Sequence, residues 1–326
     1  MMMDLRTKFV GLELKSPVIA GSCGLTADLN KIQEMAKHGA GAVILKSVFE
    51  EQMNREASQC IDDSYPEETD YIQTYVRAHA IQKYIDLIRS AKAQLDIPVI
   101  ASINCLHDGE WVSFAGELEK AGADALELNL FVLPTDEFAE SAEVERLYFD
   151  VVKHVKSVVK LPIIVKISHY FTNLPAFVSK LKAYGADAVT LFNRFYEPDI
   201  NIEQLSVGAA SVLGVPTDIK TTLRWTGILS GKDRQLEISA SGGAHSGEAV
   251  VKLLLAGATT VQVCSALYQQ GTECIGTMCH FLGDWMKSKS FKSIDEFRGK
   301  LSYADAGHAD RYERAQFMKY FSDKKD

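Results

Sequence analysis

Eight short apolar runs recur along the chain, each separated from the next by a longer amphipathic stretch. They are Pro17–Gly21, Ala42–Lys46, Pro98–Asn104, Ala125–Leu130, Pro162–Ile167, Ala188–Phe192, Leu236–Ala240 and Thr260–Cys264. Near-continuous Val, Ile and Leu is what a strand buried on both faces requires. Helix-compatible sequence fills most of the intervals: Leu29–Lys37, Ala78–Ala93, Phe114–Ala121, Ala142–Val159, Leu174–Tyr184, Thr221–Ser230 and Gly247–Leu255. Strand–helix alternation of this kind implies parallel βα units.

A weak internal repeat narrows the choice. Four runs follow a Gly-Ala pair: Gly39-Ala40, Gly122-Ala123, Gly185-Ala186 and Gly257-Ala258. Glycine there can end a helix in the left-handed conformation, with the strand following at once. Three other runs start on Pro17, Pro98 and Pro162, where a missing N–H costs a strand little. The two signals alternate through the first six strands, which suits a closed (β/α)8 TIM barrel of the α/β class. The alternative is an open doubly wound sheet, but no GxGxxG follows the first strand. A length of 326 residues fits one barrel, expected as a single domain over 1–326, with 302–326 as a C-terminal helical extension. Phe49–Ala78 reads as a long loop after strand 2, and Arg194–Val215 as a second long connection. Loops in these positions lie over the active face of such a barrel.

Composition excludes several classes. A net charge of -8 argues against a nucleic-acid groove. No run of apolar residues is long enough for a membrane span, and the opening MMMDLRTKF has no signal-peptide core. The cysteines (Cys23, Cys60, Cys105, Cys264, Cys274, Cys279) show no metal-ligand spacing, so no metal is expected and a reduced, cytoplasmic setting is.

Chemistry in such a barrel sits at the carboxyl ends of the strands. Those ends carry Gly21-Ser22-Cys23, Lys46-Ser47, Asn104, Asn129, Lys166-Ile167-Ser168-His169, Asn193-Arg194, Gly242-Gly243 and Cys264-Ser265. A lysine ending an apolar strand needs an anionic partner. Two such lysines with three asparagines point to a polar or anionic small-molecule ligand. The last two turns suit a phosphate, because glycine allows close approach and helix N-termini favour anions.

Several of these segments carry a resemblance. Thr7–Gly24, Val43–Ser47, Ala101–Leu130, Val165–Ser168, Ser239–Gly271 and Phe291–Ser302 resemble dihydroorotate dehydrogenases, and also the related barrel domain of dihydropyrimidine dehydrogenase. The resemblance implies one FMN-binding barrel acting as an oxidoreductase on the CH–CH bond of a small, planar, pyrimidine-like molecule. It places Gly21, Ser22, Lys46, Ser47, Asn104, Asn129 and Lys166 around the flavin. It places Gly242, Gly243, Cys264 and Ser265 on the phosphate, and Lys46, Asn129 and Asn193 on the catalytic side. It also implies a homodimer.

The departures are specific. Where the family has its base cysteine or serine, this chain has Val132, which cannot take a proton. The asparagine-rich substrate loop should fall near Tyr65–Tyr75, where the sequence is SYPEETDYIQTY. The Gly-Gly-x-Ser-Gly turn before the seventh helix is missing, Gly214 being the nearest glycine, and Arg194 replaces a small polar residue. The base is left among Cys23, Ser168, His169, Thr135 and Tyr170. Two other readings stay open: a non-catalytic flavin or phosphate-ligand barrel, and a flavin-free barrel in which Lys166 forms a Schiff base.

Overall fold

A computed structural model describes residues 3–49, 66–104, 110–304 and 309–314 of the chain. The barrel strands are β3 (Val18–Ala20), β4 (Val43–Ile44), β5 (Val48–Phe49), β6 (Val99–Asn104), β7 (Ala125–Asn129), β8 (Ile163–Ile167), β9 (Ala188–Leu191), β12 (Glu237–Ser241) and β13 (Thr260–Val263). All pair in parallel, and β4 closes the ring by pairing with both β3 and β6. The second barrel strand is broken in two: β4 and β5 both lie against β6, with Leu45, Lys46 and Ser47 between them. The expected eight-stranded (β/α)8 barrel is therefore the fold.

The helices are α1 (Leu29–Lys37), α2 (Pro66–Gln94), α3 (Glu110–Ala121), α4 (Ser141–Val158), α5 (Leu174–Ala183), α6 (Ile219–Lys232), α7 (Gly247–Ala256), α8 (Ser265–Gln270), α9 (Cys274–Ser288) and α10 (Ala309–Glu313). The four Gly-Ala junctions behave as their sequence implies. Gly39, Gly122, Gly185 and Gly257 have φ between 98° and 115°, and each starts the short link to the next strand.

Two connections differ from their expected form. The expected loop Phe49–Ala78 is helical from Pro66 onward, because proline suits the first turn of a helix. Residues 50–65 lie outside the described set, and with them Cys60 and Tyr65; so does Cys105. The connection Arg194–Val215 contains an antiparallel hairpin, β10 (Pro198–Asn201) with β11 (Ser206–Ala209), whose residues are all exposed. Of the expected helical extension, α10 is the described helix.

A second hairpin, β1 (Thr7–Phe9) with β2 (Leu12–Leu14), precedes the barrel. Phe9, Val10 and Leu14 are buried against Ile19, Ala42, Ile44, Ile100, Ala125, Ile164 and Ala188, the inward-facing residues of the strands' amino-terminal halves. This plugs the end opposite the expected site. Val10 turns the chain at φ 46°, an unusual conformation for a β-branched residue. Its backbone N–H is held by the Glu237 carboxylate from β12, which fixes the turn to the barrel.

Candidate functional site

Side-chain parity along each strand decides what enters the barrel. On β7, Ala125, Glu127 and Asn129 share the inward face; on β8, Ile164 and Lys166 do. Above the apolar plug the interior turns polar. Glu127, Thr190 and Gln262 are at most 1% exposed, and Lys166 is 5% exposed. Glu127 Oε2 accepts from Gln262 Nε2 at 2.8 Å and from Thr190 Oγ1 at 2.9 Å. Lys166 Nζ reaches Glu127 Oε1 at 3.5 Å and Gln262 Oε1 at 3.3 Å. Burial disfavours the Lys166 charge, but the Glu127 carboxylate, together with Cys264 and Cys23, outweighs it and the ammonium is held above its ordinary range.

The two predicted lysines therefore differ. Lys166 already has a counter-ion in the protein. Lys46 is half-buried at the break between β4 and β5, and its ammonium pairs with no carboxylate among the described residues. Ser47, next to it, belongs to a hydroxyl chain: Ser22 Oγ to Ser47 Oγ at 3.1 Å, then Ser47 Oγ to Ser102 Oγ at 2.7 Å. Tyr84 from α2 closes this chain by accepting from Ser102 N at 2.8 Å and donating to Ser102 O at 3.2 Å. Burial pushes the Tyr84 phenol well up, so it stays protonated.

Asn129 and Asn193 come together as expected. Asn193 Nδ2 donates to Asn129 Oδ1 at 2.7 Å, and Asn193 N is anchored on Ile167 O at 3.0 Å. Asn104 ends β6, half-buried, with Phe49 as its strand partner. Just past the asparagines, Phe131 and Phe195 stack with ring centroids 3.7 Å apart. Val132 is partly buried against the core, and its N–H donates to the Tyr148 hydroxyl at 2.9 Å.

The Gly242-Gly243 turn has the backbone that its sequence requires. Gly242 and Gly243 have φ 103° and 73°, and a Cβ on Gly243 would lie 2.1 Å from Ile219 N. Ser246 caps α7 three residues later by accepting from Ala249 N. Ser265 Oγ accepts from Gly214 N at 2.8 Å, so the long return from the hairpin is tied to the last barrel turn. Arg194 holds that return rather than a ligand: it donates to Val212 O at 3.1 Å and Ser211 O at 2.7 Å, and pairs with Asp218 at 3.2 Å. Gly21 is packed by the eighth strand, since a Cβ there would lie 2.5 Å from Cys264 Sγ.

The base candidates separate on geometry. Thr135 and Tyr170 are exposed, and Ser168 is buried with its hydroxyl accepting from Tyr170 N at 3.2 Å. His169 leans on Tyr170 and Phe192, and partial burial lowers its basicity. Cys23 is half-buried beside Cys264. The hydrogen bond between the two thiols holds Cys23 below the ordinary thiol range and pushes Cys264 above it.

Sequence reasoning missed Glu127, Thr190, Gln262, Ser102 and Tyr84. A signal existed for the first three: a buried lysine needs an acid, and period-two parity turns Glu127, Thr190 and Gln262 inward with it.

Comparison with known proteins agrees with this architecture. The family model described as dihydroorotate dehydrogenase matches residues 4–286. The catalytic subunit of dihydroorotate dehydrogenase B (NAD(+)) from Thermoplasma volcanium is 26% identical, over 91% of this chain and 98% of its own length. That from Methanocaldococcus jannaschii is 24% identical, over 90% of this chain and 97% of its own length. Dihydroorotate dehydrogenase A (fumarate) from Limosilactobacillus reuteri is 27% identical, over 83% of this chain and 89% of its own length. With its barrel, its strand-end residues and a family match over most of its length, the chain belongs to the dihydroorotate dehydrogenase family.

Proposed function

We propose that the chain, as one FMN-binding domain, transfers hydride between flavin and the CH–CH bond of a small, planar, pyrimidine-like anion. Family membership makes it an FMN-dependent oxidoreductase of the CH–CH class. The single observation that carries the reading on this chain is Lys166, a buried ammonium with one N–H still free among the described residues. Such a group suits an edge where negative charge develops.

FMN, when bound, supplies the two-electron acceptor chemistry. The donor set fits it. Gly242, Gly243, Cys264 and Ser265 would hold the phosphate through backbone that admits close approach. Gly21, Ser22 and Ser47 would line the ring on one side, with Asn104 at the edge of the same strand group. Lys46 brings a positive charge that no described carboxylate neutralises. Asn129 and Asn193 orient each other and would present their remaining polar atoms to the reacting molecule. The proton that leaves with oxidation needs an acceptor other than Val132. Of the candidates, Cys23 is the one whose thiolate is favoured.

Purified protein is expected to be yellow and to bleach anaerobically when a dihydropyrimidine or dihydroorotate is added. Protein that takes up no FMN overturns the reading. One feature supports a second reading, a flavin-binding barrel without turnover: by the family resemblance, Val132 falls where the base would be. Stopped-flow reduction distinguishes them, because FMN-loaded protein inert to the whole substrate panel belongs to the second.

The reading extends to a homodimer in the cytoplasm, with no nucleic-acid or membrane partner. The exposed β10–β11 hairpin supports the dimer. An isolated two-stranded hairpin is marginal in water, and this one exposes Ile200, Ile202, Leu205 and Val207 at 66% to 89%. Light scattering on the purified protein tests it. No helix among the described residues is long and apolar enough to cross a membrane.

A further inference from the structure

The family reading explains why a lysine lies at the end of β8 but not why an acid is buried beside it. A lysine ammonium has three N–H donors. Lys166 spends two on Glu127 Oε1 at 3.5 Å and Gln262 Oε1 at 3.3 Å. Both are long, since charge-assisted N–H···O bonds run at about 2.7–2.9 Å. Glu127 is held differently. Its other oxygen takes the short bonds, from Gln262 Nε2 at 2.8 Å and Thr190 Oγ1 at 2.9 Å. The acid is pinned by neutral donors while the lysine keeps capacity for a shorter bond elsewhere. Gln262 bridges the pair with its NH2 toward the acid and its oxygen toward the lysine. The opposite amide orientation would set donor against donor.

We propose that Glu127, bridged by Gln262, is a positioning residue that keeps Lys166 protonated with its free N–H turned to the barrel mouth, and so sets the reduction potential of the bound flavin. This rests on the FMN reading above. Removing the Glu127 charge leaves two opposed effects. While Lys166 stays charged, loss of the nearby anion favours reduction. Burial then acts on the lysine without its counter-ion, so the proton leaves at lower pH and the gain disappears. Among the described residues, the titratable groups facing Lys166 are Glu127 on β7, Cys264 at the end of β13 and Cys23 on the turn after β3.

The test is the midpoint potential of bound FMN against pH, read by spectroelectrochemistry on native protein and on Glu127→Gln. Native protein should show no lysine break between pH 6 and 9. E127Q should favour reduction about tenfold more at pH 6, about 30 mV for a two-electron couple, and should break downward within that range. The same break should persist in E127Q/C23S, which excludes the thiol, and vanish in E127Q/K166M. A native potential and profile in E127Q overturns the proposal, as does a lysine break in native protein below pH 9. If E127Q does not fold, the native profile still decides. E127Q/K166M, which carries no unpaired interior charge, should then fold and bind FMN. Native protein that binds no FMN ends the functional reading and this inference together. Native protein that binds FMN while E127Q changes nothing ends this inference alone.

Discussion

Asn193 donates its side-chain N–H to the side-chain oxygen of Asn129 at 2.7 Å, joining the carboxyl ends of β9 and β7 across the mouth of the barrel. Each therefore fixes the amide orientation of the other. Asn193→Ala removes a donor from Asn129, which is itself 5% exposed. The expected result is a fall in kcat of about a hundredfold, the scale for losing one oriented polar group at a reacting centre. Flavin content should stay near native. Steady-state kinetics beside the flavin-to-protein absorbance ratio check this.

The two lysines give opposite stability predictions. Lys166→Met strands the fully buried Glu127 carboxylate and should destabilise the protein by about 3–5 kcal/mol. Lys46→Met breaks no ion pair among the described residues and should stay within about 0.5 kcal/mol of native. It should nevertheless weaken flavin binding or turnover. Urea unfolding of the two apoproteins checks the contrast.

Phe9 is fully buried in the plug beneath the barrel, far from the strand ends that carry the chemistry. Phe9→Ala should lower stability by about 3–5 kcal/mol through cavity formation. The flavin spectrum of the folded fraction should not change. Thermal melts and visible absorbance check both halves.

Thiol reactivity should be ordered. Cys23 is held low by the Cys264 thiol, so a thiolate fraction survives at neutral pH and declines only as pH falls through its lowered pKa. Burial pushes Cys274 up to about 11, so it stays a thiol throughout. Iodoacetamide labelling read by peptide mass spectrometry at pH 7 should, among the described cysteines, find Cys23 modified well before Cys264 and Cys274.

The β10–β11 hairpin carries the association prediction. Leu205 is 89% exposed at its tip. On the proposed homodimer, Leu205→Glu should shift the protein from dimer to monomer in light scattering, and its melting temperature should no longer rise with protein concentration.

How much of this was legible follows from how local each signal is. A glycine ending a helix leaves a mark at one position, and all four Gly-Ala junctions took the left-handed backbone. Three-residue strands such as Thr7–Phe9 and Leu12–Leu14 are too short for alternation to register, so the plug was unseen. The strand-end lysines and asparagines were legible because a polar residue closing an apolar run stands out. Glu127 was not, although it is written one turn of the pleat before Asn129. Its meaning depends on Gln262, 135 positions away in the chain, and only the closed ring brings the two together.

The hairpin beneath the barrel has a kinetic consequence. With Phe9, Val10 and Leu14 stoppering one end, the described residues leave the carboxyl-end mouth as the route to the strand-end residues. A substrate and a small-molecule oxidant would have to use that opening in turn. Initial-rate plots should accordingly give the parallel lines of a ping-pong scheme, with each reactant inhibiting competitively against the other at high concentration.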